Sequence, residues 1–367
     1  MRQIRLYPSI RPRIFWRPAF RVVILGLVIA FFAAQQVWAA WYDPYWRYRK
    51  SHVINSAAGT GTGYQVKVTV YYASGADSAG NVYVGGLCNT DFSDIRFTAS
   101  DGTTALSYWM ESSVVSNNAI FWIKLTDDIT AAPSTIYVYY GNSIATTASN
   151  GANTFLFFDD FSGTLAQWTV DPENVDRVAI VGGALRHDPD STQSKNAYFD
   201  TRAVTSTFTM TNGAMAYKVY LGGPTNRKIH QMGFRVNGNT FTSGYAWRMQ
   251  NSGGDGGFLK LAGGTWAPIG TTYADVTAQT WYNVEVRAIG SNFETFLNGV
   301  SVKTVTDATT PGPAYLHSHV HGVGLVLATD YVLVDDVRVR KIVAIEPTHG
   351  AWGTQELNPA RRKMIYY

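Results

Sequence analysis

The sequence predicts an all-β protein of two β-sandwich domains behind an N-terminal signal helix. Aromatic residues make up 14% of the chain against 15% charged, and 34 glycines punctuate it, a balance that suits sheets joined by tight turns. Short stretches of alternating apolar and polar residues recur in two separate halves. A Ser/Thr/Asn/Gly-rich stretch divides those halves, and 367 residues are enough for two cores.

The first element, residues 1–39, carries Arg2, Arg5, Arg11, Arg13, Arg17 and Arg21 and no acidic residue, followed by the apolar run Val22 to Ala34. Val37-Trp38-Ala39 offers small or aliphatic residues where a signal peptidase reads, so a secretory signal cleaved after Ala39 is expected. An uncleaved membrane anchor is the alternative, but the run is shorter than the roughly 20 residues of a span. The formal charge of +4 less six arginines leaves −2. The basic character therefore belongs to the leader, and nucleic acid is not an expected partner.

Residues 40–147 form the expected first sandwich. Tyr64 to Tyr72 sets Val66, Val68 and Val70 on one face and Lys67, Thr69 and Tyr71 on the other, the alternation of a half-buried strand. Asp94 to Thr98, Ser107 to Glu111, Ile120 to Leu125 and Thr135 to Tyr140 repeat the pattern, with a turn at Asp101-Gly102. Asp91, Asp94 and Asp101 lack the spacing of a calcium loop and suit turns and caps. Glu111 reads as a strand-end polar residue. Cys88 is the single cysteine, so no intramolecular disulfide forms, and a buried apolar thiol is expected.

Five blocks in order, Trp46 to Lys50, Tyr64 to Val68, Asp91 to Phe97, Tyr108 to Glu111 and Ile136 to Asn142, resemble the domain-of-unknown-function 2341 family over roughly residues 44–147. That resemblance implies an exported protein in which this domain precedes a concanavalin A-like or laminin G-like one. Some family members sit beside biopolymer-transport channel components. It implies no chemistry.

Residues 148–154 read as a linker. Beyond it, residues 155–342 open with Phe157-Phe158-Asp159-Asp160-Phe161. They continue with the alternating strand Trp281 to Arg287, the hairpin signal Asn298-Gly299 and a closing strand Tyr331 to Arg340 that contains Asp335-Asp336. These features are similar to the concanavalin A-like jelly roll shared by laminin G-type modules and many carbohydrate-binding modules. The resemblance implies that fold, which hosts lectins, adhesion modules and hydrolases alike. The segment 343–367 shows no periodicity and reads as a tail, with Arg361-Arg362-Lys363 solvated.

Three sets of residues are candidates for chemistry. Trp247, Trp266, Tyr245 and Tyr273 lie near glycine-rich turns, where aromatic faces stack on the apolar faces of sugars; core packing is the competing role. Asp160 and Asp336, on the first and last strands of a jelly roll, suit a structural Ca²⁺, against loop-amide or arginine pairing. His317, His319 and His321 alternate, and neighbours such as His317 and His319 suit Zn²⁺ or Cu²⁺, although His317 and His321 would stand roughly 13 Å apart in a flat strand and the flanking prolines and glycines favour solvated histidines where a loop enters a strand. The Glu-x-Asp-x-x-Glu string of jelly-roll glycosidases is absent, and only Glu173, Glu285 and Glu294 fall in the domain, so catalysis is not expected.

The expected function is binding of glycan or a neighbouring envelope protein at the cell surface, periplasmic or extracellular. The alternatives are a self-associating structural subunit of a layer or filament, an accessory of an envelope transport system, and a glycan-processing enzyme. A membrane is expected only through an uncleaved signal.

Overall fold

The structure is a computed structural model that describes residues 40–170, 177–188, 197–200, 210, 212–223, 227–236, 243–308, 315–323 and 330–362. The leader and its expected cleavage site lie outside the described residues. Trp41–Tyr367 packs as one compact unit. No helix among the described residues is long and apolar enough to cross a membrane.

The strands in order are β1 (Tyr48–Ile54), β2 (Gln65–Tyr71), β3 (Asn81–Tyr83), β4 (Arg96–Thr98), β5 (Tyr108–Val114), β6 (Asn118–Lys124) and β7 (Ser134–Tyr140), then helix α1 (Gly151–Thr154). The second half continues with β8 (Phe157–Asp159), β9 (Thr169–Val170), β10 (Val178–Val181), β11 (Ala184–His187), β12 (Ala197–Asp200), β13 (Gly213–Gly222), β14 (Arg227–Val236) and β15 (Ser243–Gln250). It closes with β16 (Gly257–Ala262), β17 (Thr265–Pro268), β18 (Trp281–Ile289), β19 (Asn292–Leu297), β20 (Val300–Thr306), β21 (Tyr315–Val323) and β22 (Tyr331–Arg340). Strands β23 (His349–Trp352) and β24 (Glu356–Leu357) and helix α2 (Pro359–Arg362) follow.

In the first sandwich the sheet β3-β2-β6-β5 faces β23-β1-β7-β4, with β24 also on β1. Val66, Val68 and Val70 are buried and Lys67 is exposed, as the alternation requires. They meet Phe97, Phe121, Ile136 and Val138 in one core. Asp101 accepts hydrogen bonds from the Thr104 hydroxyl at 2.5 Å and from the Thr103 and Thr104 amides at 2.8 Å, which lowers its pKa to about 2. Asp94 accepts from Asn89, Gly141 and Asn142, so these carboxylates hold turns. Cys88 is buried, which pushes its thiol up to about 12.

The second sandwich stacks β10-β11-β22-β13-β18-β19-β20, with β8 on β22, against β17-β16-β15-β14-β21-β12-β9. Met215, Tyr217 and Val219 of the first sheet pack against Met232, Phe234, Tyr245 and Trp247 of the second. Asn298 and Gly299 take φ of 50° and 81° and join β19 to β20 as the hairpin signal predicts.

Two expectations need correction. The segment 343–367 is not merely a tail, because β23 and β24 pair with β1, where Trp352 faces His52 and Glu356 faces Arg49. Strands of four and two residues are too short to show a period in sequence. The linker 148–154 is also a built element. Asn150 caps α1 through the Asn153 amide at 2.9 Å, Ser149 Oγ accepts from the Met110 amide at 2.8 Å, and the Asn150 amide donates to the Tyr108 carbonyl.

That bridge leads into an aromatic seam. Trp109 and Trp122 of the first sandwich and Phe155 and Phe158 of the second form one buried cluster, with Trp109 5.1 Å from Phe158 edge-on. Arg338 pairs with Glu111 and lies 5.0 Å over the Trp109 ring. Arg340 lies over Trp122 and pairs with Glu285 and Glu346.

Candidate functional site

The outer face of the seven-stranded sheet is set by alternation. Met232 and Phe234 point into the core, so Gln231 points away from it; Trp247 and Met249 point inward, so Arg248 and Gln250 do not. Strand register aligns Tyr198 of β12, His319 of β21, Gln231 of β14, Arg248 of β15 and Gly257 of β16 in one row across five strands. With its amide oriented to satisfy both partners, Gln231 accepts from Arg248 Nη2 at 3.0 Å. Arg248 Nη1 also reaches Asp255 at 3.3 Å. One row along, Gln250 donates to Asp275 at 2.9 Å, and Asp275 also receives the Gly254 amide. Gln231 and Gln250 are buried, whereas Arg248 is partly exposed and Asp255 more so, so the groups of this row open to a hydroxyl-rich ligand are Arg248 and Asp255, held in place by buried amides on a rigid sheet.

The inward face of β21 holds a second polar group. Ser318 Oγ lies 3.1 Å from both His187 Nε2 and His230 Nε2, and all three residues are fully buried. The cluster ties β11 of one sheet to β14 and β21 of the other.

The model of the 3-keto-alpha-glucoside-1,2-lyase-like domain matches residues 156–342, just over half of the chain. The chain belongs to that family. The domain-of-unknown-function 2341 model matches residues 91–171, starting later than the blocks near Trp46 and Tyr64 that suggested it and running past the bridge. No curated protein matches the chain. Among solved structures, a carbohydrate-binding module from Bacillus subtilis is 12% identical, with 48% of this chain and 96% of that chain covered and a TM-score of 0.38. A β-glucanase from Bacillus licheniformis is 14% identical over 51% of this chain and 98% of its own, at a TM-score of 0.39. The carbohydrate recognition domain of Emp47p is 12% identical over 51% of this chain and 95% of its own, at a TM-score of 0.37.

In this lyase-like domain the expected aromatic site comes apart. Trp247 and Tyr245 are core residues with no exposed surface, so neither stacks on a ligand. They alternate with Gly244, Ala246 and Arg248 along β15, and their bulk fills the space between the sheets. Tyr273 packs its ring 5.5 Å from Trp247 and is half-buried. Trp266 alone lies on the outer face, opposite Leu261 on the edge strand β17.

Asp336 sits in a bulge of β22 with φ of 50° and pairs with Lys218. Asp160 Oδ1 accepts from the Ser162 amide and hydroxyl. Burial, with Asp336 beside it, raises the Asp335 carboxyl to about 6. Adjacent residues of a regular strand face opposite sides, but the bulge lets both carboxyls interact with the Lys218 ammonium. A Ca²⁺ here would compete with Lys218 for Asp336. For His317 and His319 the register places both backbones in β21, and their side chains lie outside the described residues.

Sequence reasoning missed Gln231, Arg248 and Asp255. Arg248 directly follows Trp247, and the alternation that turns one into the core turns the other to the opposite side of the sheet. Only knowledge of which face is covered picks between them.

Proposed function

We propose that this chain is an exported protein that binds glycan through the outer face of its seven-stranded sheet. The observation that carries the reading is the partly exposed Arg248–Asp255 pair, with Arg248 fixed from below by the buried Gln231. A guanidinium fork beside a carboxylate acceptor matches the alternating donors and acceptors of sugar hydroxyls. The family match to a domain named for a glucoside supports the same ligand class. Retention of the full chain in affinity gels containing neutral polysaccharides tests it. Arg248→Ala, with the circular dichroism spectrum unchanged, is expected to lower retention about tenfold, the equivalent of one good charged hydrogen bond; unchanged retention on every polysaccharide retarding the parent chain would sink this reading.

A second reading follows from the family description. In an elimination from a 3-keto-α-glucoside a base takes the C2 proton, the C–H electron pair becomes the C1=C2 bond, and the C1–O bond breaks with its electrons to the leaving group, which gains a proton. The backbone of His319 pairs with that of Gln231, and a histidine at that strand position favours this reading because imidazole is suited to proton abstraction near neutral pH. New ultraviolet absorbance from the enone on incubation with 3-keto-trehalose, lost in His319→Ala, is the expected result. No absorbance change over the uncatalysed rate counts against it.

A further inference from the structure

The opposite side of the second sandwich carries an aromatic row of its own. Tyr331 of β22, Tyr220 of β13 and Trp281 of β18 lie side by side across three adjacent strands, with Tyr220 facing Trp281 and Gly222 facing Tyr331 in register. Their rings stand 6.0 Å and 5.5 Å apart, Tyr331 to Tyr220 and Tyr220 to Trp281. They belong to the outward set, since Tyr217, Val219, Val284 and Val334 of the same strands face the core. Trp281 is 42% exposed, far more than any other described tryptophan placed in the core or the seam. A large exposed ring on a regular strand, stacked in line with two others, is not needed for the fold.

The surroundings select the ligand. Arg186 lies 4.5 Å over the Tyr331 ring, and its charge is taken up by Asp188 at 2.7 Å. Lys218, next on the outward face of β13, is paired with Asp336. The face thus offers flat apolar surface with paired charges at its borders and the exposed amide of Asn283 on the same face of β18. Paired charges give no net attraction for a polyanion. The rings are inclined by 23° and 44° along the row, following sheet twist, so no single plane spans them. A flat crystalline surface would touch one ring at a time, whereas a single twisted chain can follow all three.

The geometry points to a second binding site here, on Tyr331, Tyr220 and Trp281, for one neutral chain of equatorially linked pyranoses such as a β-glucan. Such sugars expose axial C–H groups on both ring faces, and those groups stack on aromatic π faces while the equatorial hydroxyls reach the polar border. The site lies on the other sheet from the Gln231–Arg248 row and does not depend on it.

The test is affinity electrophoresis of the full chain in gels containing barley β-glucan or hydroxyethylcellulose, with dextran and heparin as comparison gels. Retardation by a β-glucan, weakened about tenfold or more in Trp281→Ala and in Tyr331→Ala but kept in Arg248→Ala, is the expected result. Tyr220→Phe keeps the ring and is expected to retain binding, which separates stacking from loss of fold. Four outcomes overturn the proposal: no retardation in either β-glucan, retardation by heparin alone, equal retardation of Trp281→Ala and the parent, or a parent dimer in sedimentation that Trp281→Ala dissociates, which would make the face a contact between copies.

Discussion

His52 shows how one side chain couples the chain ends to pH. Its ring is fully buried, stacks on Trp352 at 3.8 Å with 11° between planes, and places Nε2 2.8 Å from His349 Nδ1. Burial first, and then His349, lowers its pKa to about 3, and burial lowers His349 as well. A histidine depressed in the folded state binds its proton more readily when unfolded. Its stabilising effect is therefore full above the ordinary value near 6.5 and is lost as pH falls from there towards 3. Thermal melting should decline over that window by up to about 1.4 kcal/mol per pH unit for each such group. His52→Gln should flatten the decline, and a melting temperature independent of pH between 6.5 and 4 in the parent chain contradicts the assignment. At this scale the sequence was legible where types constrain position: Gly102, Asn298 and Gly299 take positive φ that few other residues accept, and Asp101 holds its turn by accepting nearby amides. It was illegible for Trp247 and Tyr245, because an aromatic side chain is equally at home in a core and under a sugar.

Among elements, β21 carries a lesson of register. The string His317-Ser318-His319 draws attention to its histidines, yet the described polar contact belongs to the serine between them, which turns inward and meets His187 and His230. A buried hydroxyl shared by two rings specifies how the two sheets align, since each imidazole depends on the same oxygen. Ser318→Ala removes the hydroxyl without adding volume. It is expected to cost about 1–3 kcal/mol in urea denaturation, whereas a surface serine changed the same way should cost under about 0.5 kcal/mol. Strand β22 was readable as a strand but not as a bulged one. The positive φ of Asp336 arises from pairing against β13, which no local pattern reports.

Across the whole molecule, the sequence separates two domains that the structure joins. Composition marks the boundary at residues 148–154 correctly as rich in turn formers, but the hydrogen bonds from Ser149 and Asn150 to β5 come from residues about 40 positions away and leave no local trace. The seam predicts that both sandwiches melt together. Glu111→Ala leaves Arg338, only 10% exposed, without its carboxylate, and is expected to cost about 3–5 kcal/mol. In calorimetry the parent chain should give one transition and Glu111→Ala two, or one broadened. A single sharp transition at the parent temperature in the variant means that the pair does not couple the domains. The row of Gln231 and Arg248 was not legible, since its neighbour Trp247 read as a candidate for stacking and the partnership needs the β14–β15 register.

The pairing of β23 and β24 with β1 has a consequence for the order in which the molecule can be completed. Arg49 and Glu356 bond across 307 positions of sequence. A chain emerging from its N-terminus can lay down β1 to β7 early and begin to collapse, but the outer edge of β1 has no partner until the whole second sandwich has followed. Until then that edge is a template for other chains, and closing it requires bringing together residues about as far apart in sequence as any described strand pair. The first domain to be synthesised is thereby the last to be finished.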